Sequence, residues 1–404
     1  MRTRLASSAA GIFVAGAISG PLACGSSGSP AGNADGGGSG IHFSAGVSFN
    51  PGGGSSTSGQ TGVSFSVGST TGTTSVVGTT STVGTTNGTT VVSSQQHTSS
   101  SACVTNTGPI TGTIGNNGGS ISRLVFAVAG DCRPNTEDDT SGYPTAIAQT
   151  IFEDVEALSP HPPLMIGTGD YQFSEASNGT GAAQVQLFMN ARKKFTGAYF
   201  PAMGNHECGV SGSFSTSDNN DCGPGNPGGA TVNYNAFISE MMQPIGQNKP
   251  YYSVNVSATD NSWTAKFVII AANAWDSGQS SWLTGVMAQA TTYTFVVRHE
   301  TSDATPPLPN GVPESDAILA NAKYTMIIAG HDHTHGHYND ATGVHQEVIF
   351  GNGGAPITNG SDFGYGLFSQ RCDGAIVVDA IDYMTGATDG YFHFVATPDG
   401  ALTQ

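Results

Sequence analysis

From residue 123 onward, short apolar runs alternate with polar or Gly-rich turns. The runs 124–129, 164–166, 199–203, 267–272, 293–297 and 324–329 carry almost no polar residues. Runs this short and this apolar predict strands buried on both faces. Helices are predicted between them, over 144–158, 182–194, 234–242 and 279–290. Later strands are predicted at 346–350, 375–381 and 391–395, with little helix between them. A chain that is α/β first and β-rich last predicts two packed sheets with helices outside. About 280 residues suffice for one substantial core.

The first 120 residues lack this texture. Arg2 and Arg4 precede an apolar run, 5–18, that ends in small residues before Cys24. This reads as an export signal, and Pro21-Leu22-Ala23-Cys24-Gly25 resembles a bacterial lipoprotein signal in which Cys24 is lipidated. Residues 25–120 are mostly Gly, Ser, Thr and Val, with loose Val-Gly-Thr-Thr repeats at 77–80 and 83–86. So few large apolar side chains cannot offset ordering entropy, so a long disordered tether is expected. Short strands around Val76-Val77 and Val91-Val92 fit this only as isolated pieces. The expected organisation is a signal at 1–24, a flexible linker at 25–120 and one folded domain at 121–404. Its expected location is outside the cytoplasm, on the outer surface or in the periplasm, held to a membrane through Cys24.

Charge narrows the function classes. The chain carries a net charge of −17, and residues 121–404 hold ten Lys/Arg against twenty-eight Asp/Glu. Nucleic-acid binding is not expected, because backbone affinity comes from Lys/Arg clusters. Five cysteines follow Cys24, and in an oxidising compartment Cys208 and Cys222 are spaced to close a short loop.

The chemistry lies at the ends of the apolar runs. They lead into Gly130-Asp131, Gly169-Asp170, Gly204-Asn205-His206-Glu207, Arg298-His299-Glu300 and Gly330-His331-Asp332-His333. In α/β sheets, ligands bind beyond the carboxyl ends of the strands. A single Gly-Asp is usually a turn, and a single His is usually a hydrogen-bonded surface or core residue. Five strand ends supplying carboxylate, amide or imidazole in order are much harder to obtain by chance.

This series resembles the calcineurin-like metallophosphoesterase family, which includes the purple acid phosphatases. The likeness spans roughly residues 123–400, and Gly204-Asn205-His206-Glu207 and Gly330-His331-Asp332-His333 are its most specific parts. It implies a four-layer α/β/β/α sandwich of two mixed sheets flanked by helices. It also implies two metal ions, of Mn, Fe or Zn, that hydrolyse a phosphate mono- or diester with metal-bound hydroxide as nucleophile. Under the resemblance Asp170 bridges the metals, Asp131 and His333 hold the first, and Asn205, His299 and His331 hold the second. His206 acts at the leaving group, with Glu207 to orient it. Mixed O and N donors suit such ions.

The sequence departs from the family at two places. Many members have a His two residues after the first Asp, where this chain has Arg133; purple acid phosphatases have a Tyr where it has Phe173. Arg133 is therefore read either as a contact to substrate phosphate or as a structural ion pair. Tyr171, Cys132 and His335 are the side chains near the resulting gap, and Cys132 is expected to be a packing thiol. A different class stays open: a metal-binding cell-surface scaffold or binding protein with a degenerate site.

Overall fold

A computed structural model describes residues 81–86, 89–94, 108–175, 179–209, 222–226, 229–304, 308–339, 346–358 and 361–403. The expected export signal, Cys24 and most of the expected linker lie outside the described residues. So do residues 210–221, within the loop that Cys208 and Cys222 are spaced to close. Within the linker region, Ser81–Thr86 and Thr89–Ser94 pair antiparallel as a two-stranded sheet, with Val83 opposite Val92.

The remaining strands form two mixed sheets. The seven-stranded sheet runs Leu402–Thr403, Thr388–Ala396, Ile376–Asp382, Gly364–Gln370, Val125–Ala129, Leu164–Gly167, Ala198–Pro201. Its last three strands are mutually parallel. The eight-stranded sheet runs His335–Asn339, Gln346–Phe350, Met326–Ala329, Tyr293–Val297, Thr264–Ile269, Tyr252–Ala258, Gly118–Ile121, Gly112–Gly115. Four neighbours in it, from Gln346–Phe350 to Thr264–Ile269, are parallel.

The period of two along a strand separates the layers. On Thr264–Ile269, Phe267 and Ile269 enter the core between the sheets. Val268 points the other way, to Leu283, Val286 and Leu319 of the helices Ser277–Met287 and Gly311–Leu319. Between the sheets, Phe126 stands edge-on to Phe267 and Phe295, with centroids 4.9 and 5.0 Å away. On the far side of the seven-stranded sheet, Thr145–Ala157 and Thr180–Arg192 pack through Phe152 and Phe188 against Tyr199. The result is the expected four-layer α/β/β/α sandwich.

Some elements differ from expectation for identifiable reasons. The helix expected over 234–242 is Val232–Phe237, then a π turn at Ile238–Met242 and a 3-10 turn at Gln243–Ile245. Pro244 has no N–H with which to continue an α ladder, and Gly246 ends the segment at φ 79°. Gly112–Gly115 and Gly118–Ile121, inside the expected linker, form an edge hairpin on the eight-stranded sheet. Its backbone supplies the pairing, so the hairpin has almost no apolar pattern.

Candidate metal centre

Each predicted site residue follows a strand. Asp131 follows Val125–Ala129, Asp170 follows Leu164–Gly167, and Asn205 and His206 follow Ala198–Pro201. From the other sheet, His299 follows Tyr293–Val297, and His331 and His333 follow Met326–Ala329. Gly353 N–H donates to Gly130 O at 2.9 Å and Thr168 Oγ1 to Phe350 O at 3.0 Å, so the two rims are joined beside the site. Among the described residues, six non-glycine residues have positive φ, and four are Asp131 (58°), Asp170 (58°), His331 (72°) and His333 (51°). Non-glycine residues rarely adopt this region, and such outliers cluster at functional sites. Close approach accounts for one glycine: a Cβ on Gly204 would lie 2.2 Å from Asp170 Oδ1.

Four donor atoms converge. Asn205 Oδ1 lies 3.0 Å from His299 Nε2 and 3.2 Å from His331 Nδ1. His299 Nε2 is 3.3 Å from both His331 Nδ1 and Asp170 Oδ1. Ligands about 2.1 Å from one cation stand about 3.0 Å apart at a right angle and about 3.4 Å apart at the tetrahedral angle. The cluster therefore already has the spacing of a coordination shell, with two oxygen and two nitrogen donors. His299 Nδ1–H donates to Thr168 O at 2.8 Å, which turns Nε2 inward. Burial works against a proton on His299, yet Asp170 and Asp131 hold the imidazole well above its ordinary value. The place attracts positive charge, and a cation would displace that proton. Glu300, not foreseen as a ligand, also comes within 4.8 Å of His299 and His331 donor atoms.

The first-metal set does not fit in the same way. His333 Nδ1–H donates to Pro356 O at 2.9 Å, so its Nε2 lone pair faces the site. Arg133 takes that lone pair, its Nη2 lying 3.0 Å from His333 Nε2, and its Nε lies 3.5 Å from Asp170 Oδ2. Asp131 Oδ1 is 3.6 Å from His333 Nε2, and both Asp131 oxygens accept His331 N–H, at 3.2 and 3.0 Å. Burial, then the Arg133 charge, brings the His333 ring down to about 4. Burial pushes the Asp131 carboxyl well up, while His206 and His299 hold that of Asp170 well down despite burial. The other side chains near the gap do not fill it. Tyr171 is buried against Phe188 and Phe237, and His335 stands on Phe392. Cys132 is a buried free thiol that burial pushes up to about 12, in keeping with a packing role. Cys208 and Cys222 form the expected disulfide, with a Cα separation of 5.3 Å, and Cys372 is also disulfide-bonded.

His206 Nε2 stands 3.5 Å from Asp170 Oδ2, and its ring meets the edge of Phe173 at 4.8 Å. Glu207 does not orient it. Instead Glu207 Oε2 accepts the N–H groups of Asp170 (2.9 Å) and Gly204 (2.7 Å), and Oε1 accepts that of Tyr171 (2.8 Å).

A buried arginine fixes the His299 loop. Arg298, fully buried, bonds Asp316 Oδ1 at 2.7 Å, Ser302 Oγ at 2.7 Å and Glu300 O at 2.8 Å. Glu347 Oε1 lies 3.7 Å from it, and burial pushes the Glu347 carboxyl up to about 7 from 4.5 despite that cation. A raised carboxyl contributes stability that is full below about 4.5 and is lost as pH rises through about 7. Wild type is therefore expected to lose on the order of 2–3 kcal/mol relative to Glu347→Gln between pH 4.5 and 8. Urea midpoints of the two proteins across that range measure it; parallel pH profiles would contradict it.

No family model matches the sequence, and no curated protein matches it. Solved structures do. One is GAP50, the anchor in the inner membrane complex of Plasmodium, at 14% identity over 69% of this chain and 89% of that one, TM-score 0.47. Another is a dimetal phosphatase from Danio rerio, at 13% identity over 68% and 99%, TM-score 0.46. A third is a purple acid phosphatase from yellow lupin (Lupinus luteus) seeds, at 16% identity over 69% of this chain, TM-score 0.47. The match spans about half, 54%, of the lupin chain. Similarity this distant leaves function to be argued from the donor atoms themselves.

Proposed function

We propose that the protein is a metal-dependent phosphoesterase that cleaves a phosphate mono- or diester at this rim. The observation that carries the reading is the four-donor cluster of Asp170, Asn205, His299 and His331, at 3.0–3.3 Å spacing, beside His206. When bound, a divalent or trivalent ion of Mn, Fe or Zn polarises a phosphoryl oxygen and lowers the pKa of water. The chain's own residues do the rest. Thr168 O fixes the tautomer and aim of His299, and Glu207 fixes the two loops carrying Asp170 and Asn205. His206, which burial holds well below its ordinary value against the pull of Asp170, holds a neutral ring at the reacting edge. The two-cation form of the reading requires Asp170 and His333 to release Arg133.

The full chain is expected to hydrolyse a chromogenic monoester or diester with Mn, Zn or Fe present. His206→Ala should lower kcat by about 10²–10³-fold, in the range of a lost proton-transfer group. Absence of turnover with every metal would overturn the proposal. We also propose export with anchoring through Cys24. Support comes from Arg2, Arg4 and the apolar run 5–18, and from the disulfide Cys208–Cys222, which suits an oxidising compartment.

A further inference from the structure

We infer that the Arg133 guanidinium takes the place of the first cation, so that the centre binds one metal ion per chain. The inference rests on the metal-dependent reading above and departs from its two-ion form.

Three observations support it. First, the guanidinium bridges two of the groups expected to hold that ion, reaching His333 Nε2 at 3.0 Å and Asp170 Oδ2 at 3.5 Å. Nη2 occupies the one lone pair His333 has to offer, because Nδ1 is committed to Pro356 O, and the guanidinium charge sits beside the Asp170 carboxylate. Second, the guanidinium is held in place. Its side chain is 12% exposed, and its Cζ lies 4.8 Å from the centre of the Phe173 ring. Phe173 also stands at the family's tyrosine-ligand position, where it offers a face for a cation and no oxygen. Arg133 and Phe173, which stand at the family's two alternative ligand positions, thus act together in physical terms: a cation and its platform occupy the place of either ligand. Third, the neighbouring four-donor cluster involves no arginine contact except through the far oxygen of Asp170, so one ion remains accommodated.

The charge consequence is specific. The guanidinium is part of the chain, so the positive charge beside Asp170 is covalent and cannot be chelated away. The remaining guanidinium nitrogen, Nη1, donates to Pro134 O at 3.3 Å, which further holds the group in place. Chelation then removes one ion and leaves the second positive charge behind.

The test is metal stoichiometry, independent of turnover. The full chain is loaded with excess Mn(II), desalted and analysed for metal per chain, with the electron paramagnetic resonance spectrum recorded alongside. Wild type should hold one ion with an uncoupled Mn(II) signal. Arg133→His, which removes the guanidinium and supplies an imidazole at the same position, should hold two and show a spin-coupled signal. Two ions in wild type would overturn the inference without any variant being needed. A single ion in folded Arg133→His would overturn the claim that the guanidinium excludes the second. No ion in either protein would remove the metal-dependent reading and this inference together. One ion bound without ester hydrolysis would remove only the proposed activity and leave the inference standing.

Discussion

Asp170→Asn is expected to abolish both metal retention and ester hydrolysis, with activity falling by about 10³-fold or more. The side chain keeps its shape, but its charge sits at the junction of everything in the site. Oδ1 faces His299 Nε2 at 3.3 Å and accepts His206 N–H at 3.1 Å, while Oδ2 faces Arg133 Nε and His206 Nε2, each at 3.5 Å. A neutral amide offers one oxygen where two are used, and it turns an NH2 toward either an imidazole or a guanidinium. Asp170 is also the group that holds His299 well above its ordinary value against burial, so its loss leaves the four-donor cluster without the charge that draws a cation in. Metal analysis and the chromogenic assay check the two arms. A variant retaining a full equivalent of metal would show that Asn205, His299 and His331 suffice. The near-isosteric change should leave far-UV circular dichroism unaltered.

The site was legible because backbone geometry forces its residue types into view. A ligand at the end of a buried strand needs the chain to turn at once, so a glycine precedes Asp131, Asp170, Asn205 and His331, directly after an apolar run in all but Asp170, where Gly167-Thr168 intervene. Partners that act through backbone oxygens left no such mark. Thr168 O aims His299 and Pro356 O aims His333, yet any residue can supply a carbonyl. Arg133 was visible as a departure, but its direction was not: phosphate contact and ion pair share one sequence signature. Only the fold shows the guanidinium turned inward to His333 and Asp170.

The sheets were legible to the same uneven degree. Tyr293–Val297 and Gln346–Phe350 are buried at every position; the first is an apolar run broken only by Thr294, and the second is marked by Val348-Ile349-Phe350 after two polar residues. Tyr252–Ala258 alternates buried with half-buried or exposed residues, because one face meets the core and the other does not, and so it offers no continuous apolar run. Gly364–Gln370 is interrupted by glycine: Gly366 lies where a Cβ would meet the Phe350 ring at 2.4 Å. The helix Gly311–Leu319 carries Pro313 in its first turn, which reads as a breaker but is tolerated there, where the backbone N–H has no intrahelical partner.

Glu207→Ala is expected to cost about 3–5 kcal/mol of folding stability, more than its distance from the reacting atoms suggests. Its carboxylate is fully buried and accepts three backbone N–H groups, from Asp170 and Gly204 on one oxygen and Tyr171 on the other. Burial, then the Asp170 charge, raises this carboxyl to about 7 even though the backbone donors favour its charged form, and truncation strands three buried donors. Those donors belong to two different strand-end loops, so the clamp also sets the distance between Asp170 and Asn205. Loss of the clamp should therefore weaken metal binding as well as folding, even though Glu207 touches none of the converging donor atoms. Glu207→Gln separates the effects: the amide oxygen still accepts at one position, while its NH2 faces a backbone donor at the other. It should fall between wild type and Glu207→Ala in urea midpoint and in metal affinity. A Glu207→Ala protein with an unchanged urea midpoint would show that water takes over all three donors, and the clamp would then have no structural role.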